Sequence, residues 1–113
     1  MTNKITDKQA EILGKLYSYD QIRATWDGYF YESGDKADGR TLLSLIKRGF
    51  IHPSSYNTMP SVGYVRSPIF DEGGVTELGK KTIKAYVSMV SPYGKPDWVK
   101  GVEKVIERES YDN

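Results

Sequence analysis

The sequence predicts an α+β domain with three to four helices and a β-hairpin, and three observations carry that prediction. Apolar stripes at helical spacing occur within residues 6–18, 39–49 and 77–90, and again beyond residue 96. Between them, residues 20–38 and 50–70 are rich in β-branched and aromatic side chains and are broken by turn signals such as Asp27-Gly28. At 113 residues the chain has the length of one domain with a modest core.

The first helix, residues 6–18, starts at Thr6, whose hydroxyl can cap the first turn. Gln9, three residues later, completes a capping-box pattern. Ile5, Ile12, Leu13, Leu16 and Tyr17 supply its apolar stripe. In residues 20–38, Ile22, Thr25, Trp26, Tyr29, Phe30 and Tyr31 favour extended chain, with turn signals at Asp27-Gly28 and at "ESGD". A short strand or small hairpin follows from this, with an irregular helix over 19–26 as the competing reading. Alternate members of the Trp26, Tyr29, Phe30 and Tyr31 cluster are expected in the core; stacking on unpaired bases is the other use.

Asp38 or Gly39 caps the next helix, "GRTLLSLIKRG", in which Leu42, Leu45, Ile46 and Gly49 fall at i, i+3, i+4 and i+7. Gly49 is placed to end it with positive φ, because it has no Cβ to clash. Phe50-Ile51 then begins a strand. "HPSSYNTMPSVGYVRSPIFDEGG" reads as a hairpin with its tip near residues 57–61. Thr76 caps a helix over 77–90, "SPYGKP" breaks it, and a last helix starts near Pro96.

Composition removes several function classes. The chain has no cysteine and one histidine, His52, so disulfides, thiolate metal sites and multi-histidine zinc sites are excluded. Neither a nucleophile–base pair nor a phosphate-binding glycine loop is present, so no enzyme activity and no cofactor are expected. Glu32, Asp35 and Asp38 read as solvated turns rather than as metal ligands. The polar start "MTNKITDKQ" and the absence of a bilayer-length apolar run lead to an expected cytoplasmic location. Net charge is only +1, but residues 40–70 contain no Asp or Glu while holding Arg40, Lys47, Arg48 and Arg66. A near-neutral chain can carry a positive face in this way.

Two motifs carry a resemblance. "LLSLIKRGFI" (42–51) is similar to the recognition helix and first wing strand of the winged helix-turn-helix superfamily of bacterial and phage DNA-binding proteins. "VTELGKKTI" (75–83) is similar to the last wing strand and the capped helix that follows it. The resemblance covers residues 6–90. It implies a winged-helix domain over residues 1–92 and a small transcriptional regulator of double-stranded DNA, with helix 39–49 in the major groove and a wing at 56–70. Residues 93–113 would form a C-terminal helix that packs on the domain or mediates dimerisation. One departure stands out: where the superfamily has a bracing helix, this chain has the strand-like "IRATWDGYFYESG", a replaced second helix.

The expected DNA contacts follow from helical spacing. Arg40, Ser44, Lys47 and Arg48 share one face at i, i+4, i+7 and i+8, with Thr41 beside them. Arg40 and the hydroxyls lie near the end that reads bases. Lys47 and Arg48 grip phosphate or complement the helix dipole. Lys36 precedes this helix, and Tyr64 and Arg66 belong to the wing. On the last helix, Trp98, Val102, Val105 and Ile106 form an apolar side that meets a second copy in a homodimer, or another partner, or packs on its own domain. The rival function is a winged-helix protein–protein interaction module, an adaptor or inhibitor that binds no DNA, since Tyr, Trp and Arg are the residues of interface hot spots.

Overall fold

The computed structural model describes residues 4–52, 57–60 and 66–111, with the backbone alone at 57–60 and 66–69. The chain is α+β. Its elements run α1 (Asp7–Ser18), β1 (Ile22–Thr25), β2 (Gly28–Tyr31), β3 (Lys36–Ala37), α2 (Gly39–Lys47), β4 (Asn57–Pro60), β5 (Arg66–Phe70), a 3₁₀ turn (Glu72–Gly74), α3 (Glu77–Ser88) and α4 (Asp97–Tyr111). Among the described residues no helix is long and apolar enough to cross a membrane.

Helix α1 begins as its sequence dictates. Gln9 N–H donates to Thr6 Oγ1 at 3.1 Å and Thr6 N–H donates to Gln9 Oε1 at 3.0 Å, so two otherwise orphaned donors are satisfied. Its stripe of Ala10, Leu13, Leu16 and Tyr17 is fully buried, because α1 packs against α2, α3 and α4 at once. Gly14 is what lets α4 come close: a Cβ there would stand 2.3 Å from the Trp98 ring.

Residues 20–38 form no helix. They make a three-stranded antiparallel meander in which Ile22 pairs with Tyr31, Thr25 with Gly28, and Phe30 with Lys36. Gly28 takes φ of 129°, a conformation that disfavours any side chain, just after the Trp26-Asp27 turn. At the open end, buried Asp20 accepts hydrogen bonds from Gln21 N–H, Glu32 N–H and Ser33 Oγ–H, tying the strands together. The full sheet has the order β3-β2-β1-β5-β4. One of its rows, Tyr31–Ile22–Phe70, is buried on the helices; the next, Lys36–Phe30–Arg23, faces outward with Phe30 half-covered. The expectation that alternate members of the aromatic cluster pack the core therefore holds: Tyr31 is buried and Tyr29 packs partly against the core, while Phe30 between them lies in the outward row. Trp26 is not among those members: it is 97% exposed because a two-residue turn leaves its side chains beyond the sheet.

Helix α2 ends at Gly49, whose φ is 82°. Ile51 then bridges Val75, with Thr76 N–H donating to Phe50 O and His52 N–H to Gly74 O. That bridge shares the antiparallel register of β4–β5: six residues on from Ile51 and six back from Val75 is the pair Asn57↔Ile69. The hairpin tip, including Tyr64, lies outside the described residues.

Helix α4 packs on its own domain. Trp98, Val99 and Val102 are buried against the core, and Val105 and Ile106 are half-buried beside it. Tyr86 of α3 stacks on Trp98 with centroids 6.0 Å apart. Tyr17 Oη–H donates to Glu109 at 2.6 Å and Lys84 Nζ to the same carboxylate at 2.8 Å. Of the two uses expected for this apolar side, packing on its own domain takes up most of it, since α1 presents Gly14 as the notch that receives Trp98.

Candidate nucleic-acid interface

The N-terminus of α2 is built by Asp38, whose carboxylate accepts from Thr41 Oγ1–H at 2.7 Å and from Arg40 N–H at 3.3 Å. The Thr41 hydroxyl holds the Asp38 carboxyl below its usual range, helped by the Arg40 amide and by the charges of Lys8 and Arg40. A carboxylate already occupies the positive end of the helix dipole, so side-chain cations, rather than the helix end, must attract any phosphate here.

The face inferred from helical spacing divides in two. Arg40 and Lys47 are exposed and flank Leu43, itself 54% exposed, so 40, 43 and 47 make an outer stripe at i, i+3 and i+7. The hydroxyls belong to the interior side. Thr41 is buried on Asp38, and Ser44 Oγ accepts from Gln9 Nε2 at 2.9 Å while donating to Thr41 O at 2.6 Å. Arg48 turns toward α1: Nη1 donates to Gln9 Oε1 at 3.0 Å, Nη2 donates to Lys4 O at 2.6 Å, and the guanidinium lies 4.8 Å from the Phe50 ring centroid. The Phe50 contact adds a cation–π attraction.

Lys36 stands apart from this stripe. On edge strand β3 it reaches across Gly28, where an added Cβ would be 3.2 Å from Lys36 Cε, and it shares a row with Phe30 and Arg23. Arg66 begins β5 opposite Pro60, which fixes its backbone position in the hairpin.

Two contributors escaped the sequence reading. Gln9 joins the capping box, Ser44 and Arg48 in one network, and the capping box itself was the signal. Lys8, exposed on α1, is near enough to the N-terminus of α2 for its charge to help lower the Asp38 carboxyl. Among the described residues the side-chain ion pairs are Lys15–Glu11, Lys80–Glu77, Lys84–Glu109 and Lys95–Glu103; none uses Lys8, Arg40, Lys47 or Arg48. Nor does any group of three or more His, Asp or Glu among those residues converge as a metal site, so Glu32, Asp35 and Asp38 do not form one.

No family model, no curated protein and no solved structure matches this chain.

Proposed function

We propose that this protein is a winged-helix DNA-binding protein, a small transcriptional regulator that sets the outer stripe of α2 against double-stranded DNA and the β4–β5 hairpin on the flanking backbone. The observation that carries the reading is the outer surface of α2 and the start of α1, where Arg40, Lys47 and Lys8 are exposed and take part in no ion pair among the described residues. The layout supports it too: a hairpin follows α2, and its second strand pairs with β1, which lies between α1 and α2 in the chain. In this reading the β1–β3 meander stands in for the bracing helix.

Roles follow from reach. Arg40, in the first turn, is the side chain that reaches base edges. Lys47 and Lys8 contact phosphates, as does Arg66 from the hairpin. Thr41, Ser44 and Arg48 support the helix from behind, because their polar atoms already have partners. Base readout is therefore thin and binding is mainly electrostatic, which calls for steep salt dependence. Fluorescence anisotropy of a labelled mixed-sequence duplex, titrated with protein at several salt concentrations, tests it. Affinity falling steeply with salt supports the reading, and absence of binding at low salt removes it.

A second reading, an interaction module that binds another protein, is favoured by one observation: Trp26 stands 97% exposed at a hairpin tip, where an aromatic anchor would serve a protein interface.

A further inference from the structure

Trp26 has a built presentation. The β1–β2 ladder ends at Thr25↔Gly28, and the Thr25 hydroxyl both donates to Gly28 O at 3.0 Å and accepts from Asp27 N–H at 3.2 Å. The tip is thus held in shape with an indole and a carboxylate side by side in solvent. Trp98, the chain's other tryptophan, is buried.

On another part of the molecule lies an apolar groove of about 820 Å³ between the Lys4–Ile5 segment and α3. Its apolar lining is Ile5, Ala85, Tyr86, Met89 and Val90, with Lys4 and Lys81 also on its walls. The groove is preformed: Tyr86 is fixed by its stack on Trp98 and by donating its hydroxyl to Asp7, and the Lys4 carbonyl is held by Arg48. Met89, 85% exposed, offers an adaptable thioether that packs well against aromatic rings.

We infer that the Trp26-Asp27 tip of one copy seats in the α3 groove of a second copy. The indole meets the apolar lining, and Asp27 meets Lys4 and Lys81, so knob and groove are complementary in both polarity and charge. Trp26 is almost wholly exposed, so it does not occupy the groove of its own chain. Tip and groove are different surfaces, so a contact not reciprocated about a two-fold axis is head-to-tail and leaves a free tip and a free groove at the ends of each open assembly. One knob buries less than the roughly 1,200 Å² at the lower end of stable interfaces, so association is weak and concentration-dependent. This contact is independent of DNA binding; on a duplex it would align neighbouring copies.

Sedimentation equilibrium of the whole chain at rising concentration tests the inference. The wild type is expected to grow past a dimer with no fixed end point. Trp26→Ala and Ala85→Glu change exposed residues, keep the wild-type melting temperature, and each alone stays monomeric. An equimolar mixture of the two forms a heterodimer and stops there, since Trp26→Ala keeps its groove and Ala85→Glu keeps its tip. Asp27→Asn weakens the association roughly two- to fivefold, the effect of an exposed ion pair. Met89→Glu repeats the groove test should Ala85→Glu melt early. A wild type that remains monomeric at millimolar concentration overturns the inference, as does a Trp26→Ala variant that still associates or a mixture that stays monomeric.

Discussion

Arg48 Nη1 donates to Gln9 Oε1 at 3.0 Å, and that one bond reassigns the C-terminal end of α2. A cation that helical spacing groups with Lys47 is anchored to α1, with Lys4 O as a second acceptor and Phe50 beneath it. Gln9 serves the same interface through Ser44. Arg48 and Lys47 are both exposed, but Arg48 is tied to its neighbours by these contacts while Lys47 enters no ion pair among the described residues.

Gln9→Ala removes half of a capping box and leaves Ser44 and Arg48 without their α1 partner. It is expected to cost about 1–2 kcal/mol, read as a lower urea midpoint with unchanged slope. Arg48→Ala shows the same pattern, whereas Lys47→Ala, at an exposed position, leaves the midpoint within about 0.5 kcal/mol of wild type.

Gly14→Ala sets intrinsic preference against packing. Alanine favours a helix by about 1 kcal/mol over glycine. Its Cβ, though, would stand 2.3 Å from Trp98 Cε3 and 3.3 Å from Val102 Cγ2. Overpacking of this kind costs about 1–3 kcal/mol, so the variant is expected to melt below the wild type and its Trp98 emission to shift. A higher melting temperature would show that α4 is not docked as described.

Tyr31 presents the opposite case. Its hydroxyl is buried with no hydrogen-bond partner among the described residues, while Lys15 Nζ sits 4.4 Å from the ring centroid. Tyr31→Phe keeps the ring and removes the unsatisfied group, so a gain of about 1 kcal/mol is expected in chemical denaturation.

That phenol also sets an alkaline limit. Burial raises the Tyr31 pKa above its ordinary value of 10.0, and a hydrogen bond to Asp7 pushes Tyr86 up to about 12. Both groups favour the protonated form when folded. Their stabilisation is complete below pH 10 and is lost as pH rises from there through the folded-state values. Melting temperatures measured from pH 9 upward are expected to fall, and to fall less steeply in Tyr31→Phe.

Glu109 works at the other end of the scale. The hydrogen bond from Lys84, then that from Tyr17, holds its carboxyl below the ordinary value of 4.5. Its contribution is present above that value and is lost as pH falls through the lowered one. Glu109→Gln is expected to flatten the acid limb of the stability profile, with a small effect at neutral pH because both partners are partly solvated.

Local signals in the sequence carried most of the fold. The Thr6/Gln9 box, the Asp38 and Thr76 caps, Gly49 and the break before Pro96 each mark an element boundary through chemistry confined to a few residues. Neighbour relations were less legible. Spacing placed Arg40, Ser44, Lys47 and Arg48 on one face, but only the docking of α1 gives Ser44 and the exposed Arg48 their partner in Gln9. Periodicity likewise marked the apolar side of α4 without saying what covers it; the answer depended on Gly14, a residue of the first helix with no apolar signal of its own. Alternation did not say which aromatics would be buried; the two-residue turn at Trp26-Asp27 settles that Trp26 is not one of them. The short strand β3 carried no pattern long enough to be read.

In the proposed function the outer stripe of α2 binds DNA through Arg40 and Lys47. Its most direct test is the slope of log affinity against log salt concentration for a duplex, compared between wild type and the double variant Arg40→Ala/Lys47→Ala. Steep, salt-weakened binding is expected of the wild type, and in the variant a slope smaller by about one unit, from loss of Lys47 at a phosphate, together with a weaker preference among duplex sequences from loss of Arg40 at base edges. Equal slopes in the two proteins, or no duplex binding by the wild type at low salt, would contradict it.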